Sequence, residues 1–177
     1  MAFRERLLNS QVIYQGRVFN IRKDMLEMSS GNKVIREVVE HPGAVAVVPI
    51  LDDAVIMVKQ YRHATHKVLT EIPAGTLKKG EKPQECAKRE LMEETGYQAN
   101  RLQKILQCYL APGYSSEVIH IYLATGLSQV EQGVDSDEFI KVYKVKMRRA
   151  LDMIRKNEIQ DAKTIAALLY VIPSVQK

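Results

Sequence analysis

The sequence predicts a mixed α/β fold, in which a mixed β-sheet is sandwiched between helices and preceded by an N-terminal antiparallel β arm. Three observations predict it. The first forty residues partly alternate apolar and polar side chains around an SSGNK turn, residues 44–50 form a continuous apolar run, and helical patterns follow strand-like segments later in the chain. Strands before, between and after helices favour a mixed sheet covered by helices.

The first half of the chain reads as strands. VIYQGRVFNIRKDMLEM and KVIREVVEH are the predicted strands of the arm, which we assign to residues 1–40, and residues 41–177 are expected to form one domain. The first strand of that domain, AVAVVPI, is apolar throughout, so we expect it to be buried on both faces. VIMVKQYR and VLTEIPAG are the next predicted strands.

The second half of the chain combines helices and strands. A helix is predicted within GTLKKGEKPQECAKRELMEETGY, where Pro83 suits the first turn and Gly96 suits the position just past the end. The predicted strands are ANRLQKILQCYL, EVIHIYLATGL and DEFIKVYKV, followed by a helix in MRRALDMIRK. Asp161 is the predicted N-cap of a last helix, AKTIAALLYVI, which is apolar enough to pack on the sheet.

Composition excludes several classes of function. The net charge of +5 is mild, and its densest basic stretch, MRRALDMIRK, is more typical of a solvated helix face than of a nucleic-acid patch. No apolar run approaches the ~20 residues that span a bilayer, and the N-terminus lacks a secretory segment. The two cysteines, Cys86 and Cys108, suit free thiols. We therefore expect a cytoplasmic protein with neither a membrane nor a nucleic acid as partner.

Three glutamates crowd the end of the helix predicted around residue 90. At about 100° per residue, Glu93 falls at about 300° and Glu94 at about 40° from Glu90, so the three carboxylates share about a third of the circumference. Like charges at this spacing cost about 0.2–0.5 kcal/mol per pair. Negative charge in a last turn also opposes the helix dipole. The cluster is either a solvated acidic face or a site for a divalent cation.

The neighbouring residues favour the cation. A solvated face would lie opposite the apolar side of the helix, but Cys86, Ala87 and Leu91 fall on the same side as the carboxylates. Lys88 and Arg89 point elsewhere. Hard oxygen ligands beside a buried flank suit Mg²⁺ or Mn²⁺. The pattern therefore predicts a metal site.

The same stretch resembles the Nudix box, G-x5-E-x7-R-E-U-x-E-E-x-G-U, in which U is a bulky aliphatic residue. Every fixed position is matched, by Gly75, Glu81, Arg89, Glu90, Glu93, Glu94 and Gly96. The sequence departs from the pattern at the last aliphatic position, which holds Tyr97. The resemblance implies hydrolysis of a nucleoside diphosphate linked to another group, with metal ions that activate the attacking water.

The resemblance also implies roles for individual residues. The metal ligands would be the side chains of Glu90, Glu94 and Glu93 and the backbone carbonyl of Ala74, with Glu90 and Glu94 as the main ones. Arg89 would pair with a box glutamate and orient it, and Glu81 would brace the loop.

Motifs outside the box bear on the substrate. Pro112 lies sixteen residues after Gly96, a spacing similar to that of ADP-ribose pyrophosphatases in the superfamily. Four further stretches also resemble that family: HPGAVAVVPI, KQYR, EIPAG and APGYSSE. The resemblance implies ADP-ribose as substrate and AMP and ribose 5-phosphate as products. Arg62 would contact phosphate, Arg36 the adenine or its phosphate, and Glu117 the adenosine ribose. A Nudix hydrolase of a nucleotide sugar or dinucleotide, and a non-catalytic sensor, are the alternatives.

The general base stays open. The ADP-ribose pyrophosphatases carry an acidic loop before the strand predicted in DEFIKVYKV, and Glu138 matches its metal-linked acid, whereas Ser136 stands where many relatives have glutamate. A serine cannot accept the proton of water as a carboxylate does. The candidates are Glu93, Glu138, Asp137 and Asp135, of which Glu93 and Glu138 are favoured.

The N-terminal strands resemble the exchanged dimer arm of the same family. This resemblance implies a homodimer in which two chains build each substrate pocket. An aromatic residue of the arm, Phe19 or Tyr14, would then stack on adenine.

Overall fold

The computed structural model describes residues 5–130 and 140–175, which divide into two compact units. One unit contains the described residues up to Gly43 together with Tyr109–Val118. The other contains Ala44–Cys108 and the described residues from Ile119 onward. Within the described residues, every helix is too short or too polar to cross a membrane.

The first unit is built on a three-stranded sheet. Its strands are β1 (Arg6–Gln15), β2 (Asn20–Glu27) and β3 (Lys33–Glu40), paired antiparallel in the order β1-β2-β3. Gly31, at a φ of 83°, closes the β2–β3 turn by donating its N–H to the carbonyl of Met28. The antiparallel N-terminal arm predicted from the sequence is therefore confirmed as a fold element.

The second sheet has seven strands and mixed direction. They are β4 (Ala44–Leu51), β5 (Ala54–Arg62), β6 (Lys67–Glu71), β7 (Ala74–Thr76), β8 (Tyr97–Tyr109), β9 (Val118–Gln129) and β10 (Ile140–Lys146). Their order is β10-β5-β4-β9-β8, with β6 beside β5 and β7 beside β4. The β4–β9 pair is parallel, while β5 pairs antiparallel with both β4 and β10. The predicted mixed sheet is confirmed.

The helices are α1 (Pro83–Thr95), α2 (Met147–Arg155) and α3 (Ala162–Val175). The signals read from the sequence mark their ends. Gly96, at a φ of 70°, donates its N–H to the Met92 carbonyl at the end of α1, in the left-handed conformation that glycine adopts without strain. Asp161 accepts the N–H of Thr164 at 2.9 Å and so caps the start of α3.

Strand β4 lies at the centre of the core because both of its faces are apolar. Val45 and Val47 pack in one cluster, whose α1 members are Cys86, Ala87 and Leu91. Ala46 and Val48 pack in the other cluster, whose members on the last two helices include Ala150, Met153, Leu168 and Ile172. The sheet therefore lies between α1 on one face and α2 and α3 on the other, as predicted.

Candidate active site

A cavity of 300 Å³ brings several of the predicted site residues together. Its lining residues are Gln60, Arg62, Ala74, Gly75, Thr76, Lys78, Arg89, Glu90 and Glu94. They come from β5, β7, the loop after β7 and α1. The cavity therefore places cationic and anionic side chains around one space, which is the composition expected of a site for a phosphate ester and its counter-ion.

The loop that enters α1 is held at both ends. Strand β7 pairs with β4 in the register Ala46↔Ala74. The N–H of Ala74 donates to a carboxylate oxygen of Glu94 at 3.0 Å, and Glu94 is buried. A buried carboxylate needs such donors to offset its desolvation. This contact fixes the backbone of Ala74 against the last turn of α1.

Gly75 allows Glu90 to approach the backbone. A Cβ placed on Gly75 would lie 2.0 Å from both Cδ and Oε1 of Glu90. No heavier residue fits there unless the carboxylate moves. The glycine therefore sets the position of Glu90, and the requirement is steric, since its φ lies outside the left-handed region.

Arg89 holds three carboxylates at once. Its Nε and Nη2 donate to the two oxygens of Glu81 at 2.9 and 3.0 Å, a two-pronged pair. Its Nη1 donates to Glu90 at 2.6 Å and to Glu93 at 2.9 Å. The guanidinium thus orients Glu90 and links the entry loop to the middle of α1.

The electrostatics of the site follow from this arrangement. The hydrogen bonds from Arg89 lower the pKa of Glu81 to about 2, and they raise the pKa of Arg89 in turn. Burial, and then the hydrogen bond with Glu81, raise the pKa of Cys86 to about 12, so its thiol stays neutral. The single guanidinium of Arg89 pairs with three carboxylates, those of Glu81, Glu90 and Glu93, so this group of four side chains carries a net negative charge.

The residues at the cavity suit a hard divalent cation. Glu90 and Glu94 line the cavity together with Ala74, and carboxylate and carbonyl oxygens are the donors that Mg²⁺ and Mn²⁺ prefer. Within residues 5–130 and 140–175, no three His, Cys, Asp or Glu side chains are already gathered as a metal-holding group. The fit therefore rests on two carboxylates and a backbone oxygen. Glu93 is held by Arg89 beside the cavity.

Arg62 reaches the cavity from the end of β5. Its Nε and Nη2 donate to the two oxygens of Glu71, each at 2.7 Å. The side chain of Arg62 is 38% exposed, whereas that of Glu71 is 1% exposed. A guanidinium held by one edge in this way has a fixed plane. Arg62 is therefore an ordered cation at the cavity wall.

The other proposed substrate residues belong to the first unit. Arg36, on β3, pairs with Glu5 at 2.8 Å. Pro112 lies in the turn that follows β8, and the carboxylate of Glu117 lies 3.9 Å from Nδ1 of His41. Their roles toward substrate stay predictions. The general-base candidates Asp135, Asp137 and Glu138, and also Ser136, lie outside the described residues.

Sequence reasoning missed five residues at or behind the cavity, and one of them is Thr76 of β7. Gln60 precedes Arg62 by two positions on β5, so the two-residue period of a strand was a signal that both share a face. Lys78 follows β7 closely and carried no pattern of its own. Glu71 and Lys163, paired behind Arg62, lie ninety-two positions apart, and nothing local in the sequence links them.

Comparison with known proteins shows what the chain as a whole is similar to. A sequence model of the NUDIX domain matches residues 40–168. The chain is 42% identical to the ADP-ribose pyrophosphatase of Bacillus subtilis (strain 168), over 94% of this chain and 92% of that protein. It is 41% identical to the methanol dehydrogenase activator of Bacillus methanolicus, over 96% and 93%. A crystal structure described as an ADP compounds hydrolase superposes with a TM-score of 0.87 at 26% identity, covering 99% of this chain and 97% of that one.

Proposed function

Because the chain belongs to the NUDIX domain family and is a hydrolase of pyrophosphate bonds, we propose that it hydrolyses the diphosphate of ADP-ribose to AMP and ribose 5-phosphate. The observation that carries this proposal is the 300 Å³ cavity, which Glu90, Glu94 and Arg62 line together. It combines a place for a hard cation with a fixed guanidinium for phosphate.

The chain's own residues supply binding and orientation. Arg62 and Lys78 line the cavity as cations and attract the anionic diphosphate. Arg89 holds Glu90 in place, and Glu94 is anchored on the N–H of Ala74. Phosphoryl transfer depends mainly on such positioning and on electrostatic stabilisation.

A divalent cation completes the proposed site. Enzymes of this family generally use one, and we propose Mg²⁺ or Mn²⁺, held by Glu90, Glu94 and the carbonyl of Ala74, with Glu93 contributing. Such an ion, when bound, neutralises diphosphate charge and lowers the pKa of water toward neutrality. We propose Glu93 or Glu138 as the acceptor of the water's proton. Arg89 fixes the carboxylate of Glu93 at 2.9 Å, within α1.

The choice of ADP-ribose rests on similarity beyond the family match. A relative named ADP-ribose pyrophosphatase aligns over 94% of the chain. We propose Arg36, Pro112 and Glu117 as residues that recognise the adenosine half of the substrate. The methanol dehydrogenase activator is almost as similar, at 41% against 42% identity, so overall sequence identity alone does not identify the substrate of this chain. Nucleotide sugars and dinucleotides are the alternative substrates.

We propose that two copies of the chain pair through the N-terminal arm. All ten residues of β1 are exposed, including the large apolar side chains of Leu7, Leu8, Val12, Ile13 and Tyr14. Apolar side chains concentrated on an edge strand favour association with another chain. Tyr14 and Phe19, with ring centroids 6.3 Å apart, are the arm aromatics we propose to contact adenine. The free cysteines, Cys86 and Cys108, suit the reducing cytoplasm where we place the reaction.

A product assay tests the function. The purified protein is incubated with ADP-ribose, excess Mg²⁺ or Mn²⁺, and in parallel with a chelator, and the nucleotides are separated by chromatography. We expect AMP and ribose 5-phosphate in equal amounts with metal and none with chelator. A nucleotide sugar or dinucleotide whose kcat/KM exceeds that of ADP-ribose by about tenfold would favour the alternative substrate. Tight binding of ADP-ribose without AMP release would indicate a non-catalytic sensor.

A further inference from the structure

Lys163 is a buried cation in the first turn of α3, outside the cavity. Its side chain is 9% exposed. Lysine is rarely buried unless it is paired, and a positive charge at a helix N-terminus opposes the helix dipole. Two carboxylates account for its position. Its Nζ pairs with Asp161 at 3.0 Å and also with Glu71.

Glu71 links Lys163 to the cavity. Both of its oxygens accept hydrogen bonds from Arg62, and one of them also accepts from Lys163. Burial on its own raises the pKa of Glu71, but the hydrogen bonds from Arg62 and the charge of Lys163 outweigh it and lower that pKa. Glu71 therefore stays charged, and it needs both cations because it is almost fully buried.

The start of α3 holds Lys163 in place. Thr164 donates its hydroxyl to Asp161 at 2.5 Å, and that hydroxyl accepts the N–H of Ile72 at 3.0 Å. Ile72 follows Glu71 directly in the chain. The helix N-terminus and the strand end that carries Glu71 are thus joined by a hydrogen bond from the Ile72 N–H to the Thr164 hydroxyl as well as by charge, so Lys163 has a fixed position relative to Glu71.

We propose that Lys163 is a positioning residue for hydrolysis: through Glu71 it fixes the guanidinium of Arg62 at the cavity wall, where Arg62 binds an oxygen of the diphosphate. Lys163 itself does not line the cavity, whereas Arg62 does. The Nη1 of Arg62 is the nitrogen that Glu71 leaves unused. The catalytic part of this inference rests on the proposed function, and the ordering of Arg62 does not.

The ordering of Arg62 is measured directly by ¹⁵N NMR of its Nε–H group, with the resonance assigned by its loss in Arg62→Lys. We expect a sharp, slowly exchanging signal in the wild type and a broadened or fast-exchanging one in Lys163→Met. Lys163→Arg keeps a cation near Glu71 and should keep the signal. Lys156→Met, which removes an exposed lysine from the end of α2, is the charge-matched control. An unchanged signal in Lys163→Met would overturn the proposal.

A variant that leaves Glu71 short of a partner is at risk of not folding. The paired substitution Glu71→Gln with Lys163→Met removes both charges together and keeps an oxygen that accepts from Arg62. We expect this variant to fold, and to show a broader Arg62 signal than Glu71→Gln alone, because Lys163 no longer holds residue 71. Retention of the sharp signal in the folded double variant would also overturn the inference.

Kinetics test the consequence for the reaction. With ADP-ribose at saturating Mg²⁺, we expect Lys163→Met to raise KM about tenfold or more, and Lys163→Arg to stay within about threefold of the wild type. In an Arg62→Ala, Glu71→Gln background, Lys163→Met should cost less than about twofold, because the residue through which it acts is absent and no buried carboxylate is left without a cation. An equal loss in both backgrounds would show that Lys163 acts on the fold in general. If the wild type hydrolyses no diphosphate, the proposed function fails, while the NMR result still decides whether Lys163 orders Arg62.

Discussion

The carboxylate of Glu90 lies against the backbone of Gly75, so that a Cβ at that glycine would meet the Glu90 Cδ at 2.0 Å. Gly75→Ala should therefore push Glu90 out of the cavity while leaving the loop conformation accessible to alanine. We expect kcat/KM to fall by about 10–100-fold, with a change of only a few degrees in Tm. In a Glu90→Gln background the same substitution should cost little more. Full additivity of the two losses would show that Gly75 acts independently of Glu90.

Glu94→Gln keeps an oxygen that accepts the N–H of Ala74 but removes the charge. We expect most of the activity to be lost through weaker metal binding, by about 100-fold at limiting Mg²⁺, with the fold intact or firmer because a repulsive charge is gone. Activity against Mg²⁺ concentration and a Mn²⁺ binding titration measure this. Glu85→Gln removes an exposed carboxylate from the first turn of the same helix and serves as the control. A near-wild-type rate at limiting Mg²⁺ would show that Glu94 is not a ligand.

Arg89→Lys keeps the positive charge but loses the planar guanidinium. That group donates to both oxygens of Glu81 and also to Glu90 and Glu93. We expect kcat/KM to fall about tenfold or more, since an ammonium cannot orient three carboxylates at once. Saturating Mg²⁺ should recover part of the loss, because the ion takes over neutralisation of the acids. Lys88→Arg, an exposed change on the same helix, provides the comparison. Equal activity of Arg89→Lys and the wild type would remove the orienting role from Arg89.

Glu81 makes the stability of the fold depend on pH in the acid range, and the direction of the change is defined. Arg89 lowers the pKa of Glu81 from 4.5 to about 2. The carboxylate therefore stabilises the fold fully at a pH above 4.5, its pKa in the unfolded chain, and this stabilisation is lost as the pH falls toward about 2. Glu81→Gln should lower Tm at pH 6, and the difference from the wild type should shrink between pH 4.5 and pH 2. Thermal unfolding across that range, with Glu85→Gln in parallel, measures the effect. A difference that is constant with pH would contradict the Arg89–Glu81 account.

The arm is tested through its exposed apolar strand. Val12→Lys places a charge among the apolar side chains of β1, and we expect it to convert a dimer into monomers in size-exclusion chromatography with light scattering. Activity should fall with dissociation, because two chains are proposed to build each pocket. Gln11→Lys changes an exposed polar residue of the same strand and should leave the dimer intact. A wild type that is monomeric at micromolar concentration would contradict the dimer proposal.

The sequence predicted the elements that depend on local signals. Gly96 ended α1 and Asp161 began α3, because both act through backbone groups within a few residues. The apolar run of β4 predicted burial on both faces, and the structure confirms it. The crowding of Glu90 and Glu94 beside Cys86 and Leu91 was visible in helix periodicity alone.

What the sequence did not predict depends on contacts between distant segments. Nothing near Glu71 or Lys163 in the chain indicates that they meet, since their pairing follows from the way α3 packs on the sheet. The steric role of Gly75 also depends on the fold, because the motif contains a glycine at this position but does not identify the side chain that packs against it. The pairing of Arg89 with one box glutamate was implied by resemblance, whereas its contacts with all three of Glu81, Glu90 and Glu93 depend on the fold.

The lining of the cavity comes entirely from residues 60–94, whereas Arg36, Pro112 and Glu117 belong to the other unit. Apart from Glu138, the residues proposed to hold the metal and the diphosphate thus lie in one short stretch of the chain, separate from the segments proposed to recognise the adenosine half. We expect substitutions in those segments to change which diphosphate the protein prefers and to leave the proposed metal site unchanged.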